Sequence, residues 1–188
     1  LAADLPPAPL PPADAPASAP IGPLDGGQLQ LGFADLKPGI RPLQARFTHG
    51  TFDWYPSPDL RPADYGSGFH PVAIQDVEAS FGTQVDYTHY RLRFPNDLVQ
   101  FTRSGNYAVE VFDPTDPDHP LVVKRFVLFE ERIEVDVQVT KATRIDEMMT
   151  HQEVDFTLRA NNYPLTDPYD TLQTVILQNG RWDNAIVG

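Results

Sequence analysis

Apolar and polar residues alternate along most of this chain, and the alternation has the period of a β-strand. Leu29, Leu31 and Phe33 alternate with Gln30 and Gly32, and the turn Lys37-Pro38-Gly39 follows. Leu43, Ala45 and Phe47 alternate with Gln44, Arg46 and Thr48, His49-Gly50 breaks the pattern, and Phe52-Asp53-Trp54-Tyr55 follows. A proline-studded loop leads to a short strand expected over Val72–Val77, and Ser80-Phe81-Gly82-Thr83 reads as a turn. Tyr90, Leu92 and Phe94 share one face while Arg91 and Arg93 point the other way. Pro95-Asn96-Asp97 turns the chain into Leu98–Thr102, and Ser104-Gly105-Asn106 turns it again. Tyr107, Val109 and Val111 then alternate with Ala108 and Glu110; after a loop of Pro and Asp, Leu121–Phe129 resumes as a β-branched and aromatic run, which predicts a hairpin. Beyond Glu130-Glu131-Arg132 the pattern restarts with Ile133, Val135, Val137 and Val139, then Val154, Phe156 and Leu158. Leu172–Leu177 runs into Asn179-Gly180, a strong hairpin-turn signal.

The predicted fold class is all-β. Gly105-x-Tyr107-x-Val109 has the spacing of the tyrosine corner of immunoglobulin-like sandwiches, with Val109 where the disulfide-bonded versions carry a cysteine. About seven short strands between residues 24 and 130 are what such a sandwich needs. The predicted organisation is a Pro-rich extended tail over 1–23, an immunoglobulin-like β-sandwich over 24–130, and the N-terminal part of a second β-sandwich domain over 131–188. Three or four strands cannot bury two inner faces, so that second domain is expected to be incomplete.

Composition sharpens this picture. Of the 20 prolines, 8 fall in residues 1–23; a Pro/Ala-rich tract of this kind is a tether. Proline elsewhere suits loops and sheet edges and argues against long helices. The net charge of −12 is spread along the chain. Without a basic face, nucleic acid and anionic lipid surfaces are disfavoured as partners. With no cysteine, disulfides, thiol catalysis and cysteine-based zinc sites drop out. No apolar run approaches the roughly 20 residues of a membrane span. The opening LAADLPPAP suits a mature N-terminus from which a signal peptide has been removed.

Little in the chain carries catalytic chemistry. His49, His70, His89, His119 and His151 lack metal-ligand spacing with one another. Asp113-x-x-Asp116-x-Asp118 lacks the glycine and the closing glutamate of a calcium loop and reads as a solvated hairpin loop. Nucleophile, P-loop and dinucleotide signatures are absent, and no carboxylate pair stands out for glycoside hydrolysis. No cofactor is expected. Phe52, Trp54 and Tyr55 form the densest aromatic cluster. A core Trp on a middle strand is the first reading of Trp54; an exposed anchor for a sugar or protein is the second. Trp182, just after the Asn-Gly turn, is expected to be more exposed.

The succession LGFADL, FTHGTFDWYPS, SFGTQVDYTHYRLRFPND, SGNYAVEVF, KRFVLFE, HQEVDFTL and QNGRWDNA resembles the plug protein family of the type IX secretion system, formerly a family of unknown function. The resemblance runs from about Pro20 to Ala185; SGNY and QNGRWDN are its most specific blocks. It implies a non-catalytic periplasmic protein, peripheral to the outer membrane, that closes the periplasmic side of a large outer-membrane β-barrel translocon. The family supplies no catalytic residues to carry over. The candidate partner contacts are the aromatic Trp54, Tyr55 and Trp182, which can anchor a partner where their rings are exposed, and, because loops carry binding on this scaffold, Asp116, Asp118 and His119 of the loop 113–120 and Asn179 and Gly180 of the Asn-Gly hairpin. The competing readings are a carbohydrate-binding module and a surface adhesion module; exposure of the aromatic residues separates the first of these from the plug.

Overall fold

The computed structural model describes residues 19–68, 71–160 and 163–188. Among the described residues, fourteen strands and two single-turn helices follow in order: β1 (Ile21–Pro23), β2 (Leu29–Asp35), β3 (Gln44–Gly50), α1 (Pro62–Tyr65), β4 (Gly66–Ser67), β5 (Val72–Ala73), β6 (Asp76–Ala79), β7 (Thr88–Phe94), β8 (Gln100–Phe101), β9 (Gly105–Phe112), β10 (Val122–Phe129), β11 (Glu134–Lys141), β12 (Gln152–Arg159), α2 (Pro168–Thr171), β13 (Val175–Ile176) and β14 (Ile186–Val187). They divide into two units. The first runs to Glu130 and takes in Ile176–Ile186, and the second holds Glu131–Val175 with Val187–Gly188.

The first unit is an all-β sandwich. A five-stranded sheet in the order β1-β10-β9-β3-β5 faces a three-stranded sheet in the order β2-β7-β6, with β4 and β8 paired at one end. Period-two patterning produces this directly. Ala45 and Phe47 of β3, Tyr107, Val109 and Val111 of β9, and Phe126 and Leu128 of β10 meet Leu31, Tyr90, Leu92 and Phe94 of the other sheet in one buried cluster. Phe94 lies 5.0 Å from both Phe47 and Phe126, ring centre to ring centre. Burying each such side chain is worth about 1.5–3 kcal/mol. On the outer face of the smaller sheet Arg91 bonds Asp76 and Glu78 at 3.3 and 2.8 Å, and Arg93 donates to Gln30 at 2.9 Å.

Two elements differ from expectation. Ile21–Pro23, assigned by composition to the tail, is an edge strand parallel to β10. An edge strand tolerates proline because one side of its ladder is unpaired; here Pro20 C=O accepts from Val127 N–H at 2.9 Å and Leu24 N–H donates to Phe129 C=O at 2.8 Å. The rest of the tail, residues 1–18, lies outside the described residues, as does His70. The single strand expected over Val72–Val77 is two: β5 pairs with β3 and β6 with β7, so the chain changes sheets between Ala73 and Asp76.

Register fixes the two ends of the sandwich. Asp35 and Ala79 both pair with Thr88, and Gln44 pairs with Phe112. The loops 36–43, 80–87 and 113–121 therefore leave one end. At the other, Gly50 pairs with Asn106 and Leu29 with Phe94, gathering the loops that follow β3 and β7. In the second unit β11 and β12 form an antiparallel hairpin. Val135, Val137 and Val139 pair with Leu158, Phe156 and Val154, and the three valines are more than half exposed.

Candidate functional site

The tyrosine corner organises the end where Gly50 meets Asn106. Tyr107 is fully buried, and its hydroxyl donates to the Arg103 carbonyl at 2.7 Å. Burial pushes its phenol pKa up. His49, opposite Tyr107 in the ladder, packs edge-on at 4.9 Å. Its Nδ1 lies 2.7 Å from Ser57 Oγ and its Nε2 3.3 Å from the Ser104 carbonyl. Burial lowers the His49 pKa from its ordinary value, against a smaller raising effect from the Ser104 carbonyl. A Cβ on Gly105 would stand 2.4 Å from His49 Nε2, at a φ of +146°, so only glycine fits there.

Trp54 sits in the turn after β3. Thr51 N–H donates to Tyr55 C=O at 2.8 Å, Trp54 N–H to Thr51 C=O at 3.0 Å, and Asn106 Nδ2 to the Thr51 and Phe52 carbonyls at 3.0 and 3.2 Å. This turn holds Trp54 at a φ of 68°. The burial expected of Trp54 holds, and its expected place on a strand does not. Trp54 is buried, but in a turn rather than on a middle strand, and outside the main core cluster. The Arg125 guanidinium lies over its ring at 4.8 Å, a cation–π contact, and burial lowers the Arg125 pKa. Trp182, expected to be exposed, is instead half-buried and meets Trp54 edge to face at 5.1 Å. Both indole N–H groups are buried without a hydrogen-bond partner. Tyr55 and Phe52 remain exposed. Trp54 thus offers no open face on which a sugar ring could stack.

The Asn179-Gly180 turn exists as a local structure. Its φ values of 57° and 69° are both positive, as a type I′ turn requires, and Arg181 N–H closes it on Gln178 C=O at 3.2 Å. It is not the tight strand-to-strand connection expected, because β13 ends at Ile176 and β14 starts only at Ile186. Arg181 instead pairs with Asp183 at 2.5 Å.

Asp116, Asp118 and His119 lie at the opposite end of the sandwich from Trp54 and Tyr55. The loop is anchored by Asp113, which accepts from Thr115 N–H and Oγ at 3.0 and 2.7 Å and from Arg41 at 3.3 Å. Arg41 also grips Asp35 at 2.5 Å, and its backbone N–H donates to the Tyr90 hydroxyl at 2.8 Å. The exposed His119 bonds Asp116 at 2.7 Å, which raises its pKa from the ordinary value. Among the described residues no group of three or more His, Cys, Asp and Glu is placed to hold a metal ion, and no helix is long and apolar enough to cross a membrane.

Sequence reasoning missed Arg125, whose contact with Trp54 joins distant segments, and the full exposure of Phe81, which it reads only as part of a turn. An aromatic residue inside a turn cluster was the available signal for Phe81.

Residues 10–130 match the family model described as the type 9 secretion system plug protein 1st domain. The chain belongs to this plug protein family. The crystal structure of a hypothetical protein from Parabacteroides merdae ATCC 43184 is similar over 93% of this chain, with 35% identity and a TM-score of 0.83. The chain spans 44% of that protein's length. No curated protein matches it. The matched family domain closes at Glu130, where the first unit's continuous segment also ends. Membership ties the chain to type IX secretion.

Proposed function

We propose that the protein is a non-catalytic plug subunit that closes the periplasmic side of the outer-membrane translocon of the type IX secretion system. The match of residues 10–130 to the plug protein's first domain carries this reading. On it, the protein is periplasmic, peripheral to the outer membrane, and bound to a large β-barrel. Physical argument supports the assignment. A wide barrel leaves an aqueous channel, and a sandwich with a continuous aromatic core is a rigid body of domain size. Reversible closure calls for a polar-rimmed interface rather than a core-like one. The covered face of Trp54 takes the indole out of the aromatic platform that a carbohydrate-binding reading needs. The test is affinity purification of the tagged protein from outer membranes. The translocon barrel is expected to enrich with it, and a recovery no greater than that of an untagged control overturns the reading.

A further inference from the structure

Exposed apolar side chains collect at the end of the sandwich opposite the tyrosine corner. Phe81 is 100% exposed at the tip of the β6–β7 loop, with Val85 and Tyr87 exposed behind it. Leu36 and Ile40 stand exposed on the neighbouring β2–β3 loop. Thr88 Oγ, at the start of β7, donates to Gly39 C=O in the β2–β3 loop at 3.3 Å, and Ser80 N–H donates to Tyr87 C=O at 2.8 Å within the β6–β7 loop. A fully exposed phenylalanine among four further exposed apolar residues is an interaction patch by the ordinary standard of protein surfaces.

The rim of this patch is acidic. Asp86, Asp116 and Asp118 are exposed around it. Arg41, at the same end, is committed to Asp35 and Asp113, which leaves Lys37 and His119 as the cationic side chains of these loops. A lipid headgroup surface is matched by lysine and arginine at the rim, so this rim opposes it. It complements a protein recess edged with lysine and arginine.

We propose that this end, with Phe81, Val85 and Ile40 as its apolar anchors and Asp116 and Asp118 at its rim, docks into an apolar recess edged by basic residues on a protein partner. The inference rests on the plug reading, under which that partner is the periplasmic side of the translocon.

The experiment measures binding of the full chain to purified, detergent-solubilised type IX translocon barrel. The variants are Phe81→Ser with Val85→Ser, Asp116→Lys with Asp118→Lys, and, at the opposite end, Leu98→Ser, also exposed. Substitutions at exposed loop positions leave stability nearly unchanged. Removing the apolar anchors is expected to weaken binding about tenfold or more. Charge reversal is expected to weaken it and flatten its salt dependence, while Leu98→Ser binds as wild type. If the Phe81/Val85 variant binds like wild type, this face is wrong and the plug reading stands. An equal loss in Leu98→Ser also overturns the face, because the effect is then not local. If the wild-type chain does not bind the barrel at all, the plug reading and this inference fall together. Binding of wild type to phosphatidylethanolamine/phosphatidylglycerol vesicles, lost in the Phe81/Val85 variant, would replace the protein partner with a lipid surface.

Discussion

Replacing Tyr107 with phenylalanine isolates one hydroxyl in the best-packed part of the sandwich. The ring itself stays: it stacks on Phe126 at 5.3 Å and 13°, and meets Phe101 edge-on at 5.0 Å. What goes is the bond donated to the Arg103 carbonyl at 2.7 Å. A net hydrogen bond is worth about 1 kcal/mol, and stranding a carbonyl away from water costs about 1–3 kcal/mol. Because this bond is only partly buried, the expected loss is about 1–2 kcal/mol. Truncation to alanine, which also removes the ring, should cost about 3–5 kcal/mol. Urea titrations followed by tryptophan fluorescence measure both, since Trp54 and Trp182 belong to this unit. With a slope of about 2 kcal/mol per molar urea, Tyr107→Phe should lower the midpoint by about 0.5–1 M at unchanged slope. A midpoint equal to wild type would refute the idea that this hydroxyl holds the corner. So would a phenylalanine variant as unstable as the alanine one, since packing would then have failed as well.

Two further outcomes follow from the same corner. Gly105→Ala places a Cβ against His49 Nε2 at a φ of +146° and should cost about 2–3 kcal/mol by thermal melt; a variant as stable as wild type would show that the backbone relaxes there. The pKa of His49 is lowered in the folded state, so below its ordinary value of 6.5 the unfolded chain takes up a proton that the folded one resists. Stability should therefore fall as pH drops from about 6.5 through the folded-state value, and His49→Gln should remove that part of the pH dependence; an identical profile in the variant counts against the burial argument.

How much of this was legible in the sequence depends on how local each feature is. The strands β2, β3, β7, β9, β10, β11 and β12 were readable because alternate residues face opposite sides, and the core is the sum of those faces. The tyrosine corner was readable because its glycine, tyrosine and upstream carbonyl lie within a few residues of one another. The edge strand β1 was hidden by prolines that an edge position tolerates. The sheet change between Ala73 and Asp76 left no mark, since both halves alternate alike. Trp54 was misplaced because a left-handed turn and a distant arginine, not strand periodicity, decide where its ring lies. Trp182 was misplaced for a related reason: Ile176–Ile186 returns to the first unit, and no local pattern encodes that return. The contact set split accordingly, with Asp116, Asp118 and His119 at one end and Trp54 and Tyr55 at the other.

The plug assignment is tested most directly by outer-membrane permeability in a strain lacking this protein. Uptake of a large antibiotic or dye normally excluded by the outer membrane is measured with the translocon present, and again with the translocon deleted as well. The account predicts that the single deletion admits the probe, that removing the translocon restores exclusion, and that secretion continues through the unplugged channel. An outer membrane that stays tight while an empty translocon is present would contradict it.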